Sequence, residues 1–294
     1  MRRVITNSAR TCFLDCPYKF YLDYILRLSP KKEPVYFRWG SLVHLGAEKV
    51  DLGLPAIEAT EEFRAAIEAK PHTPQVLNET EEMCSLLPRV MDAHFLRWYK
   101  EDAFYEHLGV ETKFKLELPN GWLFKGKIDK PMRDTRTGEN LLCERKTSAK
   151  MDDAYWSDVY LDSQPKGYLV AANKALGIPT NKILYDVYGK PQIRLRKHET
   201  REEFTQRLGD TYLHDYEALM QRRVFTFTDE ELDEYYNDLI CVTEAIEWHM
   251  LNGNWPKHHP KNRFGACTFA PICTRNDFSG FYTRTAKQLN PELV

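Results

Sequence analysis

Gly126-Lys127-Ile128-Asp129-Lys130-Pro131-Met132-Arg133-Asp134-Thr135-Arg136-Thr137-Gly138-Glu139-Asn140-Leu141-Leu142-Cys143-Glu144-Arg145-Lys146 decides the fold, because it reads as a hairpin with a carboxylate on each arm. Residues 122–132 and 140–146 are the expected strands, and Asp134-Thr135-Arg136-Thr137-Gly138 is the turn. Two residues face each other across a symmetric hairpin when their numbers add to a constant. Asp129 and Glu144 add to 273, which centres the turn between Arg136 and Thr137. On that register their Cβ atoms lie ~4.5–5.5 Å apart. Two carboxylates so placed repel unless a cation bridges them or they share a proton. Hard oxygen donors suit Mg²⁺ or Mn²⁺. Strand alternation puts Lys146 on the face of Glu144 and turns Arg145 away. A lysine there can orient a water molecule or help to deprotonate it. The triplet alone also fits a solvated strand surface. Asp129 is the more unusual residue, because aspartate is disfavoured in an apolar-rich strand.

Working outward, residues 110–118 alternate, with Phe114, Leu116 and Leu118 on one face and charges on the other, which predicts a half-buried strand. Pro119-Asn120-Gly121 is a turn. A helix carrying Gln164 and Tyr168 ends near Gly177, and residues 183–188 form another strand, with 192–197 a further candidate. Helices are expected over 38–50, 58–70, 78–102, 201–222 and 229–251, and over 8–28 around a break at Cys16-Pro17. The pattern is α/β, a small central mixed sheet flanked by helices.

The chain has 294 residues, 43% of them hydrophobic, enough for one large domain with a substantial core. No apolar run reaches the ~20 residues of a membrane span, and the N-terminal residues lack an apolar signal region. The expected location is the cytoplasm, and no membrane partner is expected. Seven cysteines in such a chain suggest metal ligation rather than disulfides. The net charge of −2 gives no global basic field, so any nucleic acid must be held by a local groove. No G-x-x-x-x-G-K-[ST] phosphate loop occurs, so the chain carries no recognisable ATP motor.

Gly40-Ser41-Leu42-Val43-His44, Gly126-Lys127-Ile128-Asp129, Glu144-Arg145-Lys146-Thr147 and Gln164-Pro165-Lys166-Gly167-Tyr168 occur in that order. They resemble the G-x-x-x-H, G-x-x-D, E-x-K-T and Q-x-x-x-Y motifs of the RecB-like branch of the PD-(D/E)XK nucleases, from about residue 8 to 273. The resemblance implies a restriction-endonuclease-like core and phosphodiester hydrolysis with one or two metal ions, Mg²⁺ or Mn²⁺. It implies that His44, Asp129, Glu144 and the Arg145 backbone carbonyl ligate metal, that Lys146 positions the attacking water, and that Gln164 and Tyr168 lie beside the site and help to hold DNA. Read by itself, His44 also fits a packed or solvated helix residue. Residues 51–108 are expected to be a helical insertion.

RecB-like members often carry a [4Fe–4S] cluster, with one cysteine upstream and three near the C-terminus. Cys16, Cys267 and Cys273 match that pattern, while Phe264 stands at the remaining position and Cys12 is the candidate replacement. The implied clasp joins residues 8–28 to 255–275. Zinc is the alternative occupant; His258 or His259 could fill a gap; or the cysteines are ordinary apolar residues. The stretches 194–198 and 257–263 are basic and could contact phosphates or stay solvated. Phe37 and Trp39 could stack on a base or pack in the core. The expected activity is an exonuclease on DNA ends or single strands, in recombination, repair or processing, working beside a separate helicase or recombination protein. A structure-dependent endonuclease and a non-catalytic DNA-binding module are the rivals. The compact chain and the ending Leu289-Asn290-Pro291-Glu292-Leu293 resemble nucleases encoded by bacterial viruses, which would place it in a host-cell cytoplasm; CRISPR-adaptation nucleases are a second group of this size.

Overall fold

A computed structural model describes residues 3–31, 35–69, 74–258 and 267–285, with the side chains of 35–37 outside the description. The chain enters through β1 (Val4–Ile5) and helix α1 (Asn7–Asp15), where the Thr6 hydroxyl accepts from the Ala9 N–H. Cys16 is extended and caps α2 (Pro17–Phe20) with its sulfur, and Pro17 takes the first turn, where its missing N–H costs nothing. A π-turn at 21–25 leads to β2 (Leu28–Pro30). Three helices follow, α3 (Val35–Asp51), α4 (Ile57–Glu68) and α5 (Pro74–Asp102). Next come β3 (Tyr105–His107), β4 (Thr112–Glu117), β5 (Leu123–Ile128), β6 (Lys130–Asp134) and β7 (Asn140–Ser148). Helices α6 (Asp153–Leu161) and α7 (Ser163–Ala171) cross over to β8 (Lys182–Gly189). Then α8 (Arg201–His214), α9 (Tyr216–Leu219), β9 (Met220–Thr226), α10 (Asp229–Asn252), α11 (Ala270–Arg275) and β10 (Phe281–Thr283) complete the chain.

The main sheet runs β3-β6-β7-β8-β9, with β7 and β8 parallel and the other pairs antiparallel. A parallel pair needs a long crossover, which α6 and α7 supply. A second sheet runs β1-β5-β4, and β2 pairs with β10. The mixed architecture is the α/β class expected from the pattern of elements.

The β6–β7 hairpin has the expected register: Lys130 faces Cys143, Pro131 faces Leu142 and Met132 faces Leu141, each pair adding to 273. The strand expected over 122–132 is, however, two strands. Ile128 ends β5 in one sheet, Lys130 begins β6 in the other, and Asp129 is the bend between them. Pairing therefore stops one residue short of Asp129 and Glu144. A second difference lies at residues 220–226, where a strand replaces the end of the helix expected over 201–222. Its Arg222 is buried but neutralised by Asp186 of β8 at 2.9 Å, so a charged residue is tolerated inside the sheet. Residues 192–197 form no strand. Strands β1, β2 and β10 are too short to announce themselves by periodicity.

The larger apolar cluster lies between the β4–β5 sheet, α7 and α10, and includes Phe114, Trp122, Phe124, Leu169 and Leu239. The other joins α3, α4 and α5 to the main sheet through Leu42, Phe63, Leu87, Trp98, Tyr188 and Met220. Trp39 is part of it, while the Phe37 side chain lies outside the described residues. Helices α4 and α5, the bulk of the region expected as an insertion, thus share a core with β8 and β9 of the main sheet.

Gly126 is needed for packing: a Cβ there would stand 2.5 Å from the Phe114 ring. Gly138 adopts φ +74° in open space. Gly126→Ala is expected to lower stability by about 1–3 kcal/mol, whereas Gly138→Asn, which tolerates the left-handed region, should change it by less than ~1 kcal/mol. Urea unfolding of the two variants checks this; equal losses would contradict the packing argument.

Candidate active site

Strand β7 carries charge on both faces. Glu144 is 1% exposed and Arg145 2% exposed, so neither can rely on bulk water. A buried charge is costly unless paired, and the pairing on each side builds the site.

On one face, Lys146 Nζ lies 2.6 Å from Glu144 Oε1 and donates to Gln164 Oε1, also at 2.6 Å. Gln164 Nε2 then donates to the Tyr168 hydroxyl at 2.8 Å. The i,i+4 spacing of Gln164 and Tyr168 sets both on one face of α7. Gly167 lets α7 pack closely, since a Cβ there would meet the Tyr235 hydroxyl at 2.6 Å and the Asn7 amide at 2.7 Å. Asp129 Oδ2 accepts the Arg145 backbone N–H at 2.8 Å and lies 3.6 Å from His44 Nδ1 on α3. The bend at Asp129 thus substitutes a side-chain carboxylate for the backbone partner that a continuing β6 would have supplied. Helix α3 crosses close over β7: a Cβ on Gly40 would stand 3.6 Å from Thr147 Oγ1. The structure therefore brings His44, Asp129, Glu144, Lys146, Gln164 and Tyr168 into one neighbourhood.

Burial pushes the Glu144 carboxyl up to about 8; Lys146 holds it back and Asp129 adds to the rise. Burial opposes the Lys146 ammonium, but Glu144 together with Asp162 and Asp129 holds it above its ordinary value. Burial lowers the His44 imidazole, against the pull of Asp129, which favours the neutral form that can ligate a metal. Glu144 Oε2 is buried with no hydrogen-bond partner. An orphaned carboxylate oxygen is expensive, and a cation is the natural partner for it. The donor set of two carboxylates and an imidazole fits a divalent ion, although among the described residues no three His, Cys, Asp or Glu side chains already form a ligand set. In the arrangement seen, the Lys146 ammonium neutralises Glu144.

On the opposite face, Arg145 pairs with Asp51 at the end of α3, and Lys130 Nζ donates to the same carboxylate at 3.0 Å. Burial alone would raise the Asp51 carboxyl, but Arg145 and Lys130 hold it below its ordinary value. This buried triad ties α3, and with it His44, to β7 and β6.

Sequence reasoning missed two neighbours of the cluster. Asp162 caps α7 by accepting from the Gln164 N–H at 2.9 Å and adds negative charge felt by Glu144 and Lys146. An aspartate two residues before Gln164, at a helix start, is an N-cap signature that could have found it. Tyr155 stands close enough for its hydroxyl, pushed up to about 12 by burial, to feel Lys146 and Glu144; nothing in the sequence marks it.

Residues 22–31 meet the late segment 269–283. Strand β10 pairs with β2, Lys31 Nζ donates to the Ser279 carbonyl at 2.7 Å, and Leu22, Phe269 and Ile272 form a small apolar cluster. All seven cysteines are free. Cys16 Sγ accepts two backbone N–H groups, from Lys19 at 3.4 Å and His258 at 3.3 Å. Burial raises the Cys273 thiol, with Cys267 and Cys16 near enough to add to the rise. Cys12 packs in the larger core, where burial pushes its thiol up to about 12 and Cys16 is near enough to add to the rise. The sulfurs as arranged are not a ready four-cysteine ligand set. Residues 194–198 lie in a loop. Of the basic stretch 257–263, residues 259–263 lie outside the described residues, as do Phe264 and Leu289–Leu293.

The family model of the PD-(D/E)XK nuclease superfamily matches residues 5–274. The chain belongs to that superfamily. Among solved structures it is similar to a protein from Eubacterium rectale provisionally named an exonuclease, at 13% identity over 87% of this chain and 84% of the other, with a TM-score of 0.48. It is also similar to the protein SSO0001, at 13% identity over 73% of this chain and 77% of the other, with a TM-score of 0.30. No curated protein matches. Membership implies a phosphodiester hydrolase, for which nucleic acid is the substrate class. No helix among the described residues is long and apolar enough to cross a membrane.

Asp51→Ala would strand Arg145 and Lys130 in the interior. It is expected to cost about 3–5 kcal/mol, read by urea unfolding, and to loosen α3. A loss below ~1 kcal/mol would mean that this triad does not hold the helix to the sheet.

Proposed function

We propose that the chain is a divalent-metal-dependent deoxyribonuclease that works from DNA ends. The observation that carries the reading is the buried Glu144 oxygen left without a partner, beside a lysine that is itself held by Gln164. Asp186 Oδ1 is orphaned within its own pair with Arg222, so what sets the Glu144 oxygen apart is that Asp129, with His44 beside it, lies close enough to share a cation.

His44, Asp129, Glu144 and the Arg145 carbonyl would hold Mg²⁺ or Mn²⁺. Bound there, the ion would act as a Lewis acid on the phosphate and lower the pKa of a water. The protein groups do the rest. The Arg145 N–H fixes the Asp129 carboxylate, and the neutral imidazole of His44 faces it. Gln164 keeps the Lys146 ammonium aimed along the Glu144 face, where it orients the attacking water and stabilises charge on the phosphate. Tyr168 fixes the Gln164 amide. The end-directed reading rests on the order of the RecB-like motifs, and the absence of an ATP motor motif leaves strand separation to a separate helicase or recombination partner.

Lys146→Ala should reduce Mg²⁺-dependent cleavage of end-labelled linear DNA by at least ~100-fold while leaving DNA binding nearly unchanged; Glu144→Gln should do the same. Wild-type rates in both variants would contradict the site. Closed circular DNA should resist the wild-type protein, and rapid nicking would favour the endonuclease reading.

The clasp is the second part of the proposal. Cys16, Cys267 and Cys273 supply three soft donors, and His258, whose N–H already meets the Cys16 sulfur, lies beside them. Iron–sulfur or zinc would be structural there, bracing α1 against the tail. Protein purified without oxygen is expected to contain iron and acid-labile sulfide, or zinc, that Cys16→Ser removes and Cys12→Ser leaves in place. Metal-free wild-type protein would refute it.

A further inference from the structure

A cavity of about 390 Å³ opens between α1, the turn at 21–25 and the start of α7, with Asn7, Ser8, Thr11, Asp15, Tyr24 and Gln164 in its walls. Its volume is within the ~300–1,000 Å³ typical of ligand sites. It shares Gln164 with the catalytic cluster, so a group lodged in it lies next to the side chain that holds Lys146.

The lining selects the kind of group. Asp15, Asp23 and Asp162 line the cavity with Lys19, and Asp23 is paired with Arg284, which leaves the lining net negative and disfavours a phosphate there. The remaining groups suit an uncharged ligand rich in donors and acceptors: the Ser8 and Thr11 hydroxyls, and carboxylates that accept. Asn7 is 9% exposed, and its Oδ1 accepts from the Tyr235 hydroxyl at 2.7 Å, while its Nδ2 has no partner. The Asn7 amide is turned against Gly167 of α7, so the groups open to a ligand are the exposed Ser8 and Thr11 hydroxyls, which can meet the carbonyl oxygens and ring nitrogens of a nucleobase.

We propose that this cavity receives the base and sugar of the nucleotide adjoining the scissile phosphate, while the phosphate itself stays at Glu144 and Lys146. The inference rests on the nuclease reading and deepens it: the polar cavity sets which nucleoside is placed beside the cut, and its acidic rim keeps the backbone phosphates on the Lys146 side.

The test uses single-stranded oligonucleotides with one abasic residue moved stepwise along the strand, cleaved by the full chain with Mg²⁺. An abasic residue at the one position adjoining each cut should slow that cut about tenfold, since losing one base contact of ordinary strength has that effect. Thr11 and Ser8 are exposed, so Thr11→Trp and Ser8→Trp fill the cavity without disturbing the core. Both variants should cut intact DNA more slowly and lose the position-specific abasic effect. An abasic effect that is absent or independent of position in the wild type, or variants that retain it, would overturn the inference. Wild-type protein that cleaves neither oligonucleotide nor bis(p-nitrophenyl) phosphate would instead overturn the nuclease reading, and this inference with it.

Discussion

Everything in the site follows from burying charge on both faces of one central strand. β7 sits between β6 and β8; its Glu144 and Arg145 are buried away from bulk water, and Lys146 is half-buried beside them. Each needs a partner from another element. Arg145 takes Asp51 from α3; Lys146 takes Glu144 and Gln164, the latter from α7; Glu144 is left with one oxygen unmatched. Because the partners lie on different helices, satisfying these charges also positions the helices. Removing one member of a buried pair costs more than the pair contributes, so the arrangement resists drift.

The bend at Asp129 is the second constraint. Had β6 continued, its backbone would have paired with β7 and filled the space beside Arg145. Instead the chain changes sheets there, and the Asp129 side chain takes the Arg145 N–H. That keeps a carboxylate next to Glu144 without a full ladder between them, and it leaves room on that edge. The same bend joins the two sheets, so the site lies where they meet.

Much of this was legible in the sequence, for identifiable reasons. The hairpin register was readable because the Asp134–Gly138 turn is short and symmetric, and a period of two fixes which side chains share a face. Gly126 and Gly40 were readable as motif positions, although only the structure shows that Phe114 and Thr147 stand against them. The bend at Asp129 was not readable, because Lys127-Ile128-Asp129-Lys130 contains no glycine and no turn signature. Strand β9 was hidden because Gln221-Arg222-Arg223 looks like a solvated helix end; its burial depends on Asp186 and Asp102, far away in sequence. Cys12, the candidate fourth ligand four residues before Cys16, is buried in the larger core, a placement that depends on helix phase around the Cys16-Pro17 break and cannot be read from spacing.

The central claim is that Glu144 and Asp129 form a cation site that Lys146 guards. It is tested most directly by titrating Mn²⁺ into the protein, without DNA, and following bound ion by calorimetry. The account predicts saturable binding in the wild type that disappears in Glu144→Gln. Binding of equal strength in the two proteins, or none in the wild type, would contradict it.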